Sequence, residues 1–341
     1  MPYTLAPEEL ETLLPGEPPY RVEQLREWLY VHPVLDSAMM TNLPSTIRDR
    51  FTDSLWPFRI EAERTADDGR TIKWLFRTGD GAAIEAVLMG YPRRTTLCIS
   101  SQAGCAMACT FCATGQFGFE RHLTAGEIVA QVAYATAHLK ATPMPGAPAR
   151  VGNIVFMGMG EPLANYPNVR EAIRRMVEVM GISARSITVS TVGVAPGIDR
   201  LAAEPWPVTL ALSLHAADDH LRESLVPLNR RYSIEDILAA AGRFQAGKGR
   251  RVTLEWTLMD GVNDTAHQAR ALGAIARELR AHVNIIPMNP TPMAPQRRPP
   301  RERIEQFVQE VRRSGAAVTL RDTRGVEIDA ACGQLRVTAG R

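Results

Sequence analysis

The sequence has few cysteines, few lysines and no long apolar run. Five cysteines in 341 residues, three of them crowded together, do not make the framework of a disulfide-stabilised secreted domain. No apolar segment reaches the roughly 18 residues that a membrane span needs. The segment MPYTLAPEELETLLPGEPP at the start is acidic and lacks the apolar region of a secretory signal. We therefore expect a cytoplasmic protein without a membrane segment.

Arginine carries nearly all of the positive charge, with 36 arginines against three lysines. The formal net charge is only +2, so global charge does not by itself indicate a nucleic-acid partner. Several arginines are paired in sequence: Arg93–Arg94, Arg174–Arg175, Arg230–Arg231, Arg250–Arg251, Arg297–Arg298 and Arg312–Arg313. Guanidinium groups bind phosphate bidentately, which suits an RNA-binding patch. A general preference for arginine on solvated surfaces is the commoner explanation of any one pair.

Sequence patterns divide the chain into three parts and a tail. Residues 1–60 predict a small helical domain, with the segments YRVEQLREWLYVH and STIRDRFTDSL. Residues 61–94 predict a β-hairpin extension, because TIKWLFRT and AAIEAVLM flank a GDG turn. Residues 95–335 predict a larger α/β domain, and residues 336–341 form a tail.

The α/β domain is predicted from short strands that alternate with helices of about 10 to 15 residues. The predicted strands are TTLCIS, GNIVFMG, SITVST, VTLALSLH, RVTLEWTL, HVNIIPM and AVTLRD. Parallel strands require such helical crossovers, so the pattern predicts a parallel sheet. The sheet is either doubly wound or a full or partial β/α barrel. In both folds the functional residues lie at the C-terminal ends of the strands.

The segment GCAMACTFCATGQ contains three of the five cysteines, Cys105, Cys109 and Cys112. Thiolates this close in sequence bind zinc or an iron–sulfur cluster. Structural zinc needs four ligands, and the nearest candidates for a fourth, His122 and Cys98, lie well outside the segment. A four-iron cluster held by three thiolates leaves one iron open to a small molecule. The spacing therefore favours a cluster that takes part in a reaction.

The pattern CxxxCxxC, directly after a predicted strand, resembles the radical S-adenosylmethionine (SAM) superfamily. Together with it, five further motifs resemble the RlmN/Cfr family of RNA methyltransferases: FMGMGEPLAN, VSTVGVAPGIDRL, LSLHAADDHLRESLVPLN, NIIPMNPTP and TRGVEIDAACGQL. The likeness runs from GEPPYRVEQLREWLY to Cys332 and so covers nearly the whole chain. It implies a partial (β/α)6-type radical SAM barrel, a [4Fe-4S] cluster held by the three cysteines, and two SAM molecules per turnover.

The resemblance also implies a reaction and roles for three further residues. The reaction is methylation of C2 of one adenosine in 23S ribosomal RNA and of the adenosine next to the anticodon in transfer RNA. The cysteine that matches Cys332 carries the methyl group as S-methylcysteine and becomes joined to the RNA, and the one that matches Cys98 resolves this adduct through a disulfide. Glu85 matches the proton acceptor. Without the resemblance, Cys98 would be interpreted as a small buried residue and Glu85 as a solvated strand carboxylate. The polar segment TRGVEID before Cys332 argues against a purely buried role for that cysteine.

The resemblance places the SAM pocket at the ends of predicted strands. The positions that match SAM-contacting residues are Gly160, Glu161, Ser190, Ser213, Leu214, His215 and Asn289. Glycine permits a close backbone approach, and a carboxylate binds an ammonium group. Any one of the polar residues would more often cap a helix or form a turn. Their common position at strand C-termini favours a ligand site.

The expected partners are 23S ribosomal RNA, transfer RNA and a flavodoxin-type electron donor, and we expect a monomer. The helical domain, with Tyr20, Arg21, Arg26 and Trp28, is the expected RNA-binding part. One alternative is Cfr-like methylation of C8 of the same ribosomal adenosine, although GEPLANYPNV and TRGVEIDAACGQL favour C2. A second is an iron–sulfur RNA-binding or electron-transfer protein, which would normally have a fourth cysteine ligand and no use for Cys332.

Overall fold

The fold is built on one large mixed β-sheet, seen here in a computed structural model that describes residues 1–291, 294–321 and 324–335. The predicted tail, 336–341, lies outside the described residues. The strands are β1 (Phe58–Ala66), β2 (Thr71–Thr78), β3 (Ala83–Tyr91), β4 (Arg94–Cys98), β5 (Gln102–Gly104), β6 (Phe119–His122), β7 (Asn153–Phe156), β8 (Ile187–Thr191), β9 (Thr209–Ser213), β10 (Thr253–Leu258), β11 (His282–Pro287) and β12 (Ala317–Leu320). Strands β5 and β6 form a separate antiparallel hairpin.

Helices lie between most of the strands. They are α1 (Pro19–Arg26), α2 (Ser45–Arg48), α3 (Ala113–Gln116), α4 (Ala125–Ala141), α5 (Tyr166–Arg174), α6 (Ala195–Ala203), α7 (Asp219–Leu225), α8 (Ile234–Lys248), α9 (Ala266–Glu278) and α10 (Arg301–Arg313). Short 3-10 turns occur at Pro2–Thr4, Pro7–Leu13, Ser37–Met39, Asp49–Phe51, Pro162–Asn165, Ala184–Ser186, Pro227–Arg230 and Val326–Ile328, and π-helical turns at Glu27–Val31 and Arg175–Val179.

The parallel part of the sheet is a partial β/α barrel. Strands β4, β7, β8, β9, β10, β11 and β12 neighbour one another in sequence order and are all parallel. A doubly wound sheet would reverse its strand order near the middle, so that alternative is wrong. Six of these strands make the six-strand barrel that the sequence predicts, and β12 adds a seventh at the open edge. The α/β class and the seven predicted strands are confirmed.

The β extension is larger than the hairpin predicted for residues 61–94. Three antiparallel strands, β1 to β3, form a meander, and β3 pairs antiparallel with β4, so the extension continues the barrel sheet. Strand β1 starts at Phe58, inside the segment predicted to be helical. Its interior residues are mostly exposed, which removes the alternation of apolar and polar residues that reveals a half-buried strand.

The N-terminal segment packs onto the barrel through aromatic side chains. The rings of Tyr3 and Trp56 stack with centroids 5.3 Å apart, and Trp56 meets the edge of Tyr134 on α4 at 5.4 Å. The Tyr3 hydroxyl donates to the Leu29 carbonyl at 2.6 Å. Gly126 on α4 lies so close to the backbone here that a Cβ atom would stand 1.8 Å from the Tyr3 carbonyl oxygen. Residues of the N-terminal segment therefore share one hydrophobic core with the barrel.

Candidate active site

The three clustered cysteines converge on one cavity. Cys105, Cys109 and Cys112 lie on the loop between β5 and α3, and all three line a cavity of about 140 Å³ next to the C-terminal ends of the parallel strands. The loop is closed by hydrogen bonds from the Cys105 amide to the Gly118 carbonyl at 2.8 Å and from the Cys112 amide to the Cys109 carbonyl at 3.2 Å. Burial, and then the neighbouring thiols of Cys112 and Cys105, hold the pKa of Cys109 well above its usual value. The three thiols are thus close enough to interact.

This donor set fits an iron–sulfur cluster better than a single zinc ion. Among the described residues, no group of three or more cysteine, histidine or acidic side chains is arranged to bind one metal ion. A [4Fe-4S] cluster holds its thiolates at separate iron atoms, so its ligands need not meet around one point. The candidate fourth ligands for zinc are engaged elsewhere, since His122 contacts the Gln102 amide at 3.0 Å and Cys98 lines a different cavity. Three thiols that line one cavity suit a cluster with one iron free to bind a ligand.

Glu161 brings a buried carboxylate to the same cavity. Its two oxygens accept hydrogen bonds from the amides of Leu163 at 3.0 Å and Val192 at 2.9 Å, and the residue is only 2% exposed. Burial raises the pKa of Glu161 to about 7. An ammonium group bound in the cavity would stabilise the charged carboxylate. Gly160 precedes it with φ +103°, where a Cβ atom would stand 2.5 Å from that of Gln102.

Ser190, Ser213 and His215 add polar groups to the lining at the ends of β8 and β9. The two serine hydroxyl oxygens are 3.5 Å apart. His215 has a left-handed backbone, φ +62°, and its Nδ1 accepts from the Thr257 amide at 3.0 Å. Burial, followed by the charge of Arg222, lowers the pKa of His215 to about 3, so the ring is neutral near pH 7. Because Nδ1 is the acceptor, Nε2 carries the proton.

Two residues predicted to contact SAM do not line this cavity. Leu214 is fully buried in the main hydrophobic core, and its carbonyl accepts from Arg222 Nε at 3.0 Å. Asn289 instead lines a smaller cavity of about 20 Å³, which also contains Cys98 and Cys332. Its Nδ2 donates to the Cys332 carbonyl at 3.1 Å, while its Oδ1 is buried and has no hydrogen-bond partner among the described residues. Asn289 therefore holds the loop that carries Cys332.

Cys332 lies between the cluster cysteines and Cys98, because it lines both cavities. Burial, followed by the Cys332 thiol, raises the pKa of Cys98 to about 12. The loop around Cys332 docks directly after the cluster loop: the Gly333 carbonyl accepts from the Ala113 amide at 2.8 Å. The Leu335 carbonyl likewise accepts from the Thr114 hydroxyl at 2.6 Å. All five cysteines are free thiols, so a Cys98–Cys332 disulfide stays a prediction.

Glu85 is buried and ion-paired. It is 2% exposed on β3, so its interpretation as a solvated strand carboxylate is wrong. Its Oε1 lies 3.1 Å from Lys73 Nζ on β2. Residues two apart on a strand share a face, which puts Glu85 on the same face as Val87, the register partner of Cys98. Glu85 therefore belongs to the Cys98 side of the site and does not line the cavity of the cluster cysteines.

The sequence analysis missed two buried cations in the site. Arg222, on α7, is 0% exposed and donates only to carbonyl and amide oxygens. Arg321 follows β12 and lines the smaller cavity, where Cys332 and Glu255 hold its pKa above the usual value. The strand-end rule that selected Ser213 would also have selected Arg321, which follows the last predicted strand. No sequence pattern marks Arg222, because its burial depends on long-range packing.

Comparison with known proteins identifies the family. Residues 99–269 match the model of the radical SAM superfamily. Over 331 residues the chain is 48% identical to the probable dual-specificity RNA methyltransferase RlmN of Salinispora arenicola, covering 95% of this chain and 87% of that protein. The chain belongs to the RlmN family. The RlmN relative of Thermobifida fusca is 49% identical over 328 residues, covering 94% of this chain and 89% of that one.

A solved structure supports the same family assignment. The crystal structure of a radical SAM methyltransferase from Sphaerobacter thermophilus superimposes with a TM-score of 0.92 at 50% identity and covers 98% of both chains. The resemblance drawn from the six motifs is thereby confirmed. As a radical SAM enzyme of the RlmN family, the chain uses a [4Fe-4S] cluster and SAM.

Proposed function

We propose that this RlmN-family chain methylates C2 of one adenosine in 23S ribosomal RNA and of the adenosine next to the anticodon in transfer RNA, with Cys332 as the methyl carrier. The observation that supports this most directly is the position of Cys332, which lines the cluster cavity on one side and the Cys98 cavity on the other. A methyl carrier needs both neighbours, because it must accept its methyl group from SAM and later be released from the RNA.

The roles of the chain's own residues follow from this arrangement. When bound, the cluster and SAM supply the methyl group and the radical that activates it. Cys105, Cys109 and Cys112 would hold the cluster, and Glu161 would bind an ammonium group beside it. Gly160, Ser190, Ser213 and His215 would shape the rest of the pocket, with Leu214 acting only through its backbone and Asn289 through the Cys332 loop.

Release of the product falls to residues on the other side of Cys332. Glu85 would take the C2 proton of the adduct, and Cys98 would form a disulfide with Cys332 as the methylated RNA leaves. Both lie on one face of the sheet, since Glu85 shares its face with the register partner of Cys98. The same small cavity contains Met89 and Arg321, whose apolar and cationic side chains suit the approach of a nucleotide.

Two groups of aromatic and basic residues, each with one exposed member, suit RNA binding. Tyr20 on α1 is 57% exposed, and the Arg21 guanidinium lies 4.9 Å from its ring. At the rim of the smaller cavity, Tyr91 lies beneath the guanidinium groups of Arg94 at 4.5 Å and Arg324 at 4.4 Å. Arginine pairs with phosphate and stacks on bases, which favours single-stranded or looped RNA. Both surfaces are proposed contacts.

The remaining expectations concern the setting of the reaction. We propose a cytoplasmic monomer that receives electrons from a flavodoxin-type donor. No helix among the described residues is long and apolar enough to cross a membrane.

The decisive experiment is intact-mass and RNA analysis of the Cys98→Ala variant, purified anaerobically after expression in cells. Protein covalently joined to RNA is the expected result, because the adduct cannot be resolved without Cys98. The matched control is Cys98→Ala combined with Cys332→Ala, which must carry no RNA. Free protein with an unmodified Cys332 in the single variant would contradict the methyl-carrier role. Mass spectrometry of the nucleosides then separates 2-methyladenosine from the 8-methyladenosine of a Cfr-like enzyme.

A further inference from the structure

A buried lysine, Lys73, contacts two parts of the proposed site. Lys73 Nζ lies 3.1 Å from Glu85 Oε1, and the two residues are only 5% and 2% exposed. The same nitrogen donates to the Asp329 carbonyl at 3.2 Å. Asp329 lies three positions before Cys332 in the same loop. One ammonium group therefore contacts both the proposed proton acceptor and the loop of the proposed methyl carrier.

The strand register puts Lys73 in line with Cys98. Lys73 on β2 pairs with Val87 on β3, and Val87 pairs with Cys98 on β4. Side chains directly opposite one another on adjacent strands point to the same face of a sheet. Lys73, Val87 and Cys98 thus form one row across three strands, with Glu85 beside it. The Cys332 loop contacts this face at the Lys73 end through Asp329.

Other hydrogen bonds of the loop hold it to the barrel. Asn289 binds the Cys332 carbonyl, and Gln334 Nε2 donates to the Pro290 carbonyl at 2.9 Å. Thr114 binds the Leu335 carbonyl. These contacts hold Cys332 and the residues after it. The residues before it are held at Gly325, whose amide donates to Asp67 Oδ2 at 3.2 Å, and, nearest to Cys332, at Asp329 by Lys73. Asp329 has a left-handed backbone, φ 53°, a conformation that costs energy in a residue other than glycine and so needs support from its surroundings.

We propose that Lys73 is a positioning residue for resolution of the protein–RNA adduct: it holds the Cys332 loop over Cys98 and keeps Glu85 in place as a carboxylate. The inference rests on the proposed function of these three residues. A lysine suits the task because its ammonium is a compact charge with three donors, whereas the planar fork of arginine demands a wider site. In a chain with three lysines and 36 arginines, this lysine is buried, while Lys140 is exposed on α4.

The first test measures loop position without RNA or turnover. The purified, cluster-loaded chain is incubated anaerobically with oxidised glutathione, which converts the Cys98 and Cys332 thiols to a disulfide and is itself reduced to two thiols. Peptide mapping follows the Cys98–Cys332 product. We expect Lys73→Met to form it at least tenfold more slowly than the wild type, and Lys140→Met to form it at the wild-type rate. An unchanged rate in Lys73→Met overturns the proposal.

A second variant separates positioning from a loss of folding. Lys73→Met alone removes the ammonium that pairs with buried Glu85. The double variant Lys73→Met/Glu85→Gln therefore removes both charges of this pair and keeps the packing volume. The contact to Asp329 is absent from both variants, so both should form the disulfide slowly. If the double variant regains the wild-type rate, Lys73 only balances the charge of Glu85 and the positioning role is refuted.

Adduct analysis in cells then connects the loop to the reaction. With Cys98 intact, Lys73→Met should retain S-methylated Cys332 and accumulate RNA-linked protein, because formation of the adduct continues while its resolution slows. Lys140→Met should carry no more linked RNA than the wild type. Suppose that Cys98→Ala carries RNA but Lys73→Met has an unmethylated Cys332 and no adduct. That result contradicts the role of Lys73 and leaves the proposed function standing. Absence of RNA from Cys98→Ala contradicts the proposed function itself.

Discussion

Replacing Arg222 by methionine should destabilise the protein and disturb the SAM-binding strand ends. The guanidinium is 0% exposed. It donates to the carbonyls of Leu214 at 3.0 Å, Ser213 at 3.2 Å and Val192 at 2.5 Å, and to Asn229 Oδ1 at 2.8 Å. Val192 lies just beyond β8, and Ser213 and Leu214 lie at the end of β9 and just after it. One side chain therefore holds the ends of two adjacent strands together.

The magnitude follows from the acceptors that lose their donor. Leaving one buried acceptor unpaired costs about 1–3 kcal/mol, and Arg222→Met affects four of them. The variant also removes the desolvation penalty of a buried cation, which is several kcal/mol and opposes that loss. Burial lowers the pKa of Arg222 to about 10, so the group is still charged at pH 7 and the penalty is real. The net loss of unfolding free energy should be about 2–4 kcal/mol.

Thermal unfolding, followed by circular dichroism under anaerobic conditions, measures this loss. At about 1.5 °C per kcal/mol for a protein of this size, we expect the melting temperature to fall by roughly 3–6 °C. The matched control is Arg243→Met, because Arg243 is exposed and pairs with Asp199 at 2.8 Å on the surface, where an ion pair contributes at most about 1 kcal/mol. If Arg222→Met melts no lower than Arg243→Met, the four hydrogen bonds do not hold the strand ends as argued.

Three further predictions concern the cluster, the pH dependence and the RNA. Cys109→Ser should lose nearly all bound iron while keeping its far-ultraviolet dichroism, and iron retained at the wild-type level would remove Cys109 from the ligand set. Burial raises the pKa of Glu161 to about 7, so the folded protein loses stability as this carboxyl ionises. When the pH rises from ~5.5 to ~8, the unfolding free energy of the cluster-free wild type should fall by about 2 kcal/mol more than that of Glu161→Gln. Equal losses in urea unfolding would show that the carboxyl does not titrate in this range. Arg94→Glu should weaken RNA binding at least tenfold and lower the salt dependence of binding. The exposed control Arg312→Glu should change neither quantity. Equal filter-binding curves for the two variants would remove Arg94 from the RNA surface.

The sequence alone predicted the parts of the protein that local patterns encode. Apolar strands of four to eight residues alternating with amphipathic helices determine a parallel β/α fold, because each element must bury its own apolar face. The spacing of Cys105, Cys109 and Cys112 likewise required them to meet at one site, since no residue between them can carry the chain far. The resemblance in six motifs then supplied the family, which the comparisons confirmed.

Local patterns were less informative where a residue's partners are distant in sequence. Only the start of β1, residues 58–60, was assigned to the helical domain, because its exposed residues lack an alternating pattern and the strand is defined by its pairing with β2. Leu214 and Asn289 follow strands, as ligand contacts do, yet packing turned one into the core and the other toward the Cys332 loop. Strand-end position restricts where a side chain can lie without fixing what it faces.

The sequence by itself determined which residues are present for the chemistry, and the tertiary structure decided how they are connected. Lys73 and Glu85 are twelve positions apart, and Asp329 is far beyond both, yet the Lys73 ammonium contacts both Glu85 and Asp329. Arg222 is an ordinary basic residue in sequence and a fully buried cation in the fold. Burial and ion pairing depend on long-range packing, which brings together residues that no local sequence pattern links.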